Sequence, residues 1–159
     1  RASTRGTKFH NLMEKYLRNE NDLFENIMPD MKQAFKDIQI MVDKIDNIHY
    51  IECPLYSHKL GVAGRTDVIA EFDGKLSVID FKTSLREKKE SHIENYFEQA
   101  TAYSIMYEEL TNQPVEQIVV MISVDNLPEP QLFVKSKKDY INSLVNKITT
   151  YRKENTHVS

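Results

Sequence analysis

The sequence predicts an α/β fold in one domain, with a mixed central β-sheet flanked by helices. Three observations lead there. Apolar residues recur every three or four positions at both ends of the chain and over residues 91–110, which is the period of helices. Residues 49–82 instead read as strands, and Asp73-Gly74 sits between two of them as a hairpin signal. A length of 159 residues suits a single core of this layered kind, and no Gly/Ser linker, repeat or low-complexity stretch divides it.

Taken in order, Thr7 to Leu17 places Phe9, Leu12, Met13, Tyr16 and Leu17 at helical spacing. A second helix starts at Pro29-Asp30, residues suited to a first turn, and carries Met31, Phe35, Ile38 and Val42. Strands follow over His49–Tyr56, Val62–Phe72 and Lys75–Lys82. Asp73-Gly74 joins the last two as a two-residue type I′ turn, since both central residues of that turn need positive φ. Ser91–Leu110 is a long helix with Tyr96, Ala100, Tyr103, Met106, Tyr107 and Leu110 along it. Val115–Val124 reads as a buried strand, Gln131–Val134 as a short edge strand and Lys138–Tyr151 as a closing helix. The single domain, 1–159, thus has a helical N-terminal part (5–46), a sheet-and-helix part (48–134) and a C-terminal helix (138–153).

Bulk properties remove several function classes. A formal net charge of −3 produces no global basic field, so any nucleic-acid reading must rest on local residues. One cysteine, Cys53, excludes a disulfide framework and a four-cysteine zinc or iron–sulfur site built by this chain alone. Four glycines leave little for a Gly-rich phosphate loop, which argues against a phosphohydrolase of small nucleotides. No apolar run reaches the roughly eighteen residues of a membrane span, and no signal segment opens the chain. The expected location is therefore cytoplasmic, in a bacterium or a phage-infected host, or mitochondrial if a transit segment precedes residue 1.

The hairpin converts pattern into geometry. If Phe72 faces Lys75, counting outward in equal steps sets Asp67 opposite Asp80. That rung is of the non-hydrogen-bonded kind, where Cβ atoms approach to about 4.5–5.5 Å. Alternation then puts Arg65 and Lys82 on the same face. Directly opposed like charges are destabilising, and solvent, a shared proton or a divalent cation can offset them. The apolar runs beside them, Val68-Ile69-Ala70 and Leu76-Ser77-Val78-Ile79, argue for burial and against solvent. A metal or a proton remains, and Lys82 next door favours metal-assisted chemistry. Oxygen ligands suit Mg²⁺ or Mn²⁺, and an ammonium can orient the attacking water and stabilise charge on a phosphate. The structural alternative is a buried Asp–Lys ion pair with a second aspartate at the sheet edge.

Ala63-Gly64-Arg65-Thr66-Asp67 followed by Val78-Ile79-Asp80-Phe81-Lys82-Thr83-Ser84 resembles the core of PD-(D/E)XK nucleases, in their RecB-like branch. Gln99-Ala100-Thr101-Ala102-Tyr103 matches the Gln-x-x-x-Tyr of that branch, and Gly6-Thr7-Lys8-Phe9-His10 its Gly-Thr-x-x-His segment. The match runs from Ala2 to about Val124, and is similar to that of phage-type and mitochondrial genome-maintenance exonucleases. The resemblance implies a restriction-endonuclease-like core. It implies a metal site of His10, Asp67, Asp80 and the Phe81 carbonyl, with Lys82 at the scissile phosphate and Glu52 as a supporting acid. Gln99 and Tyr103, one helical turn apart, would contact DNA or brace the site. Some relatives hold an iron–sulfur cluster through four cysteines; with Cys53 alone, no cluster is expected here.

Other residues carry plainer readings beside the functional ones. His10 on an apolar helix is an ordinary packing histidine outside the motif. Glu14, one turn on, reads as a surface or capping acid. Glu52 before Cys53-Pro54 can simply bond backbone. Thr83, Ser84, Arg86, Lys88 and Lys89 form a candidate phosphate track by position, although such a charge run is usually a solvated loop. Lys135, Lys137 and Lys138 read as a solvated helix start. The resemblance implies a Mg²⁺- or Mn²⁺-dependent deoxyribonuclease acting at DNA ends, with a single-stranded preference and a place in DNA repair or recombination. The rival on the same fold is a structure-specific endonuclease or junction resolvase. A non-catalytic DNA-binding module would need one of Asp67, Asp80 or Lys82 to be lost, and all three are present.

Overall fold

The computed structural model describes residues 2–156; Arg1 and residues 157–159 of the expected domain lie outside the described residues. Its elements are α1 (Ala2–Leu17), α2 (Pro29–Val42), β1 (Ile45–Ser57), β2 (Val62–Phe72), β3 (Lys75–Ser84), α3 (Glu94–Thr111), β4 (Gln117–Val124), β5 (Gln131–Ser136) and α4 (Ile141–Thr156). The five strands lie in one sheet in chain order. All neighbours are antiparallel except β3 and β4, which are parallel and joined through α3. The expected mixed sheet flanked by helices is what forms.

Alternation along the strands supplies two cores. On one face Ile69, Val78, Ile118, Val120 and Ile122 meet Phe97, Ala100, Tyr103 and Met106 of α3, and Leu144 of α4. On the other, Val68, Ala70, Phe72, Ile79, Phe81, Val119 and Met121 meet Phe9, Leu12 and Met13 of α1 and Met31, Phe35, Ile38 and Val42 of α2. A central strand such as β4, covered on both sides, therefore reads as a continuous apolar run.

Several bounds differ from the sequence-based expectation. α1 begins five residues earlier than Thr7, at Ala2. β1 begins at Ile45 rather than His49, because a register shift between Asp46 and Tyr50 hides the period. α3 starts at Glu94 after a 3₁₀ turn over Glu90–His92, and α4 at Ile141 after another over Lys137–Asp139. Val115 is buried but precedes β4, and β5 runs on to Ser136. Leu110, placed on the apolar stripe of α3, is exposed. Lys137 is not solvated: it is buried, with its ammonium 3.0 Å from Glu108 and 3.9 Å from Glu116. Lys135 pairs with Glu90 at 2.7 Å, while Lys138 is exposed as expected.

Candidate active site

The site grows from the β2–β3 hairpin. Asp73 and Gly74 have φ of 52° and 76°, as a type I′ turn requires, and Phe72 faces Lys75. From there the rungs run regularly to Val68 opposite Ile79, and the register is the expected one. The next rung, Asp67 with Asp80, is not made as a ladder pair. Regular pairing would then have given the Phe81 amide to the backbone of Thr66. Instead the Phe81 N–H donates to Asp67 Oδ2 at 2.8 Å. The strands part here because a carboxylate has taken over a backbone acceptor's place.

α1 closes the gap from the α1/α2 face. Helical spacing that buries Phe9 and Met13 turns His10 toward the parted strands, where Nε2 donates to the Phe81 carbonyl at 2.5 Å and lies 3.4 Å from Asp67 Oδ2. From the α3 face, Lys82 Nζ lies 2.9 Å from Asp80 Oδ2 and 3.2 Å from Gln99 Oε1. Asp80 is only 7% exposed.

The electrostatics follow from this crowding. Burial raises the Asp80 carboxyl, the charge of Asp67 raises it further, and Lys82 only partly opposes them; the result is about 7. Asp67 is also pushed up by burial, but hydrogen bonds from His10, Asp80 and the Phe81 amide outweigh this and hold it low. The hydrogen bond to Asp67 raises His10 to about 9, against the opposing effect of burial. Burial alone would lower Lys82, yet its pairing with Asp80 keeps it above the usual lysine range. The pair predicted to share a proton or a cation is thus an unequal one: Asp80 is pushed up and Asp67 is held low.

Whether these residues suit a divalent ion is a question about donors. His10 Nε2, Asp67 Oδ2 and the Phe81 carbonyl oxygen point at one another, and all three are lone-pair donors once His10 is neutral. In this structure His10 Nε2 turns instead to the Phe81 carbonyl as a hydrogen-bond donor. Among the described residues, no three His, Cys, Asp or Glu side chains form a ready-made cage. His10, Asp67 and Asp80 therefore do not stand as a preformed three-side-chain cluster; the groups that meet are His10, Asp67 and the Phe81 carbonyl. Asp80, buried beside this trio, completes a hard-oxygen set suited to Mg²⁺ or Mn²⁺, with one imidazole. The donors fit.

The remaining candidates divide. Glu52 lies between Ile51 and Cys53, which pair with Val68 and Thr66, and so faces Asp67. Its φ of 56° is uncommon for a residue with a side chain. Burial raises its carboxyl, as do the charges of Asp67 and Glu14, and Arg65 stands 3.8 Å away. Glu14 is therefore part of the acidic surroundings of the site and not only a surface acid. Tyr103 is brought in through Gly64, where an added Cβ would fall 2.6 Å from its ring. Tyr96, which the sequence placed only on a helix, has the Lys82 ammonium over its ring, 4.8 Å from the centroid.

The loop after β3 carries its own hydrogen bonds. Ser84 donates its hydroxyl to the Arg86 carbonyl at 2.5 Å, so it shapes the loop. Both backbone groups of Lys88 are held by the Gln131 carboxamide, at 2.9 and 2.8 Å. Arg86 and Lys89 are exposed, and Thr83 lies under α1, with Oγ1 3.4 Å from where a Cβ on Gly6 would stand.

Comparison with known proteins bears on the family and the fold. The chain is 30% identical over 102 residues to human mitochondrial genome maintenance exonuclease 1, and 31% identical over 101 residues to the mouse protein of that name. Each match takes in 62% of this chain but only 29% of the relative's length. A crystal structure from Eubacterium rectale, provisionally described as an exonuclease, superposes with a TM-score of 0.60 over 98% of this chain and 69% of its own. At 10% identity it speaks for the fold. The family model of the PD-(D/E)XK nuclease superfamily matches residues 1–156, nearly the whole chain. With Asp67, Asp80 and Lys82 assembled where its two hairpin strands part, the chain belongs to the PD-(D/E)XK nuclease superfamily.

Proposed function

We propose that the protein is a Mg²⁺- or Mn²⁺-dependent DNA exonuclease that prefers single strands with free ends and leaves 5′-phosphate and 3′-hydroxyl termini. The observation that carries the chemistry is the parted hairpin, which gathers His10, Asp67, Asp80 and the Phe81 carbonyl beside the Lys82 ammonium. Exonuclease action is supported by the names of the curated relatives, which this chain matches over part of their length.

These four groups would hold the divalent ion, which when bound polarises the phosphodiester and acidifies water. Lys82, kept charged by Asp80, acts as a cation beside the scissile phosphate and stabilises the charge that builds on its oxygens. Gln99 steadies that ammonium, and Glu52 adds negative charge next to Asp67. Arg86, Lys88 and Lys89 line the way past β3 and offer cations to the adjoining phosphates; Arg65 does so on the β2 side. Tyr103, packed on Gly64, braces the strand that carries Asp67.

The deciding assay uses end-labelled linear DNA and covalently closed circles, single- and double-stranded, with Mg²⁺, Mn²⁺ or excess chelator. Metal-dependent loss of linear single strands, with circles spared, is the expected result. Comparable cleavage of circles would replace the exonuclease reading by an endonuclease or resolvase. Full activity in chelator would remove the metal mechanism.

A further inference from the structure

The Lys82 ammonium is held from three directions. Asp80 Oδ2 lies at 2.9 Å, Gln99 Oε1 at 3.2 Å, and the Tyr96 ring centroid at 4.8 Å. The carboxylate attracts the ammonium as an ion pair and the carboxamide accepts its hydrogen bond, whereas the ring offers the negative face of its quadrupole. Lysine is a point charge on a flexible stem, so without such contacts its ammonium would sample several rotamers. Tyr96 and Gln99 are three residues apart on α3 and share one face of the helix. Tyr96 is half-buried and packs on the core cluster of Phe97 and Ala100, so its ring is anchored by the fold.

We propose that Tyr96 is a positioning residue for Lys82, its ring fixing the ammonium beside Asp80 in the orientation that phosphodiester cleavage uses. The proposal rests on the nuclease reading above. An aromatic ring near a DNA site has another common use, stacking on an unpaired base. Here the face turned to Lys82 is already occupied by the ammonium, so a base cannot stack on it.

The test replaces Tyr96 by Phe, by ring-fluorinated phenylalanines of rising fluorine content, and by Leu. Fluorination drains the ring face of electron density at nearly constant shape. Tyr96→Phe should keep kcat within about twofold, each added fluorine should lower it stepwise, and Tyr96→Leu should lower it about 3- to 30-fold, with KM nearly unmoved. A second reading uses metal-free protein carrying labelled lysine. The Lys82 ε-methylene protons, identified by their loss in Lys82→Met, should be shifted upfield by the ring and return to ordinary values in Tyr96→Leu. A flat fluorination series, or Lys82 protons indifferent to Tyr96→Leu, overturns the proposal. So does a rise in KM at constant kcat, which would make Tyr96 a stacking platform. If instead Lys82→Met cleaves as well as the parent, the nuclease reading fails, and the lysine resonances still decide whether the ring holds the ammonium.

Discussion

At its turn end the β2–β3 hairpin is regular: every rung from Phe72–Lys75 to Val68–Ile79 is made, and most of the side chains there are buried apolar groups. One residue beyond Val68 and Ile79, the same two strands carry Asp67 and Asp80 and stop pairing. There the backbone donor of Phe81 is satisfied by a side chain, and a buried carboxyl is lifted far from its ordinary range. One end spends its residues on stability; the other holds like charges together, an arrangement that folding alone does not favour. Substitutions at the two ends should therefore fail in opposite ways.

The largest effect is expected at the open end. Asp80→Asn should lower cleavage by at least about 100-fold, since a neutral amide is a poor ligand for a hard divalent ion. Without metal, its melting temperature should equal or exceed the parent's, because the variant removes the repulsion with Asp67. It should also lose the stabilisation that millimolar Mg²⁺ or Mn²⁺ confers on the parent by binding the folded state. Melting of both proteins in chelator and in metal measures this. An Asp80→Asn protein unfolded in chelator would mean that the carboxylate, with Lys82, is structural.

At the regular end the order reverses. Ile79→Ala, next in sequence to Asp80 but fully buried on the α1/α2 face, should cost about 2–5 kcal/mol in denaturant unfolding. What folded protein remains should still bind metal. An Ile79→Ala protein of parental stability would break the distinction between the two ends.

Acidity sharpens the comparison. Asp80 has a folded pKa above its unfolded one, so its favourable contribution exists in the ordinary carboxylate range and is lost as pH rises toward 7. His10 is likewise raised, so its contribution is present below 6.5 and is lost as pH rises through about 9. Metal-free stability should therefore fall from mildly acidic to alkaline pH, while metal affinity rises as both groups shed protons. His10→Ala should flatten the alkaline limb of the stability profile. It should also weaken metal binding by about tenfold or more, with a larger loss for Mn²⁺ than for Mg²⁺. Unchanged titration midpoints would make His10 a packing residue.

The smallest effect belongs to the turn itself. Gly74 has positive φ and open space around it, so Gly74→Ala should cost about 1–2 kcal/mol from backbone strain alone. Cleavage per folded molecule should not change; a loss of activity in the purified folded variant would show that the turn and the site are coupled.

The sequence by itself determined the order and type of the elements, the hairpin register and the three residues Asp67, Asp80 and Lys82. These depend on local chemistry: turn residues that accept positive φ, and periods that separate buried from solvated faces. It was least informative where that chemistry was interrupted. The early start of β1 was masked by its register shift, and the burial of Lys137 by Glu108 and Glu116, acids remote in sequence. The tertiary structure alone decided that Asp67 caps the Phe81 amide, that Asp80 rather than Asp67 carries the raised pKa, and that Glu14 stands near Glu52. It also decided that Tyr96 lies under Lys82. Each of these depends on how closely helices pack against the parted strands, a distance set by two cores on opposite faces of the sheet and by no single stretch of chain.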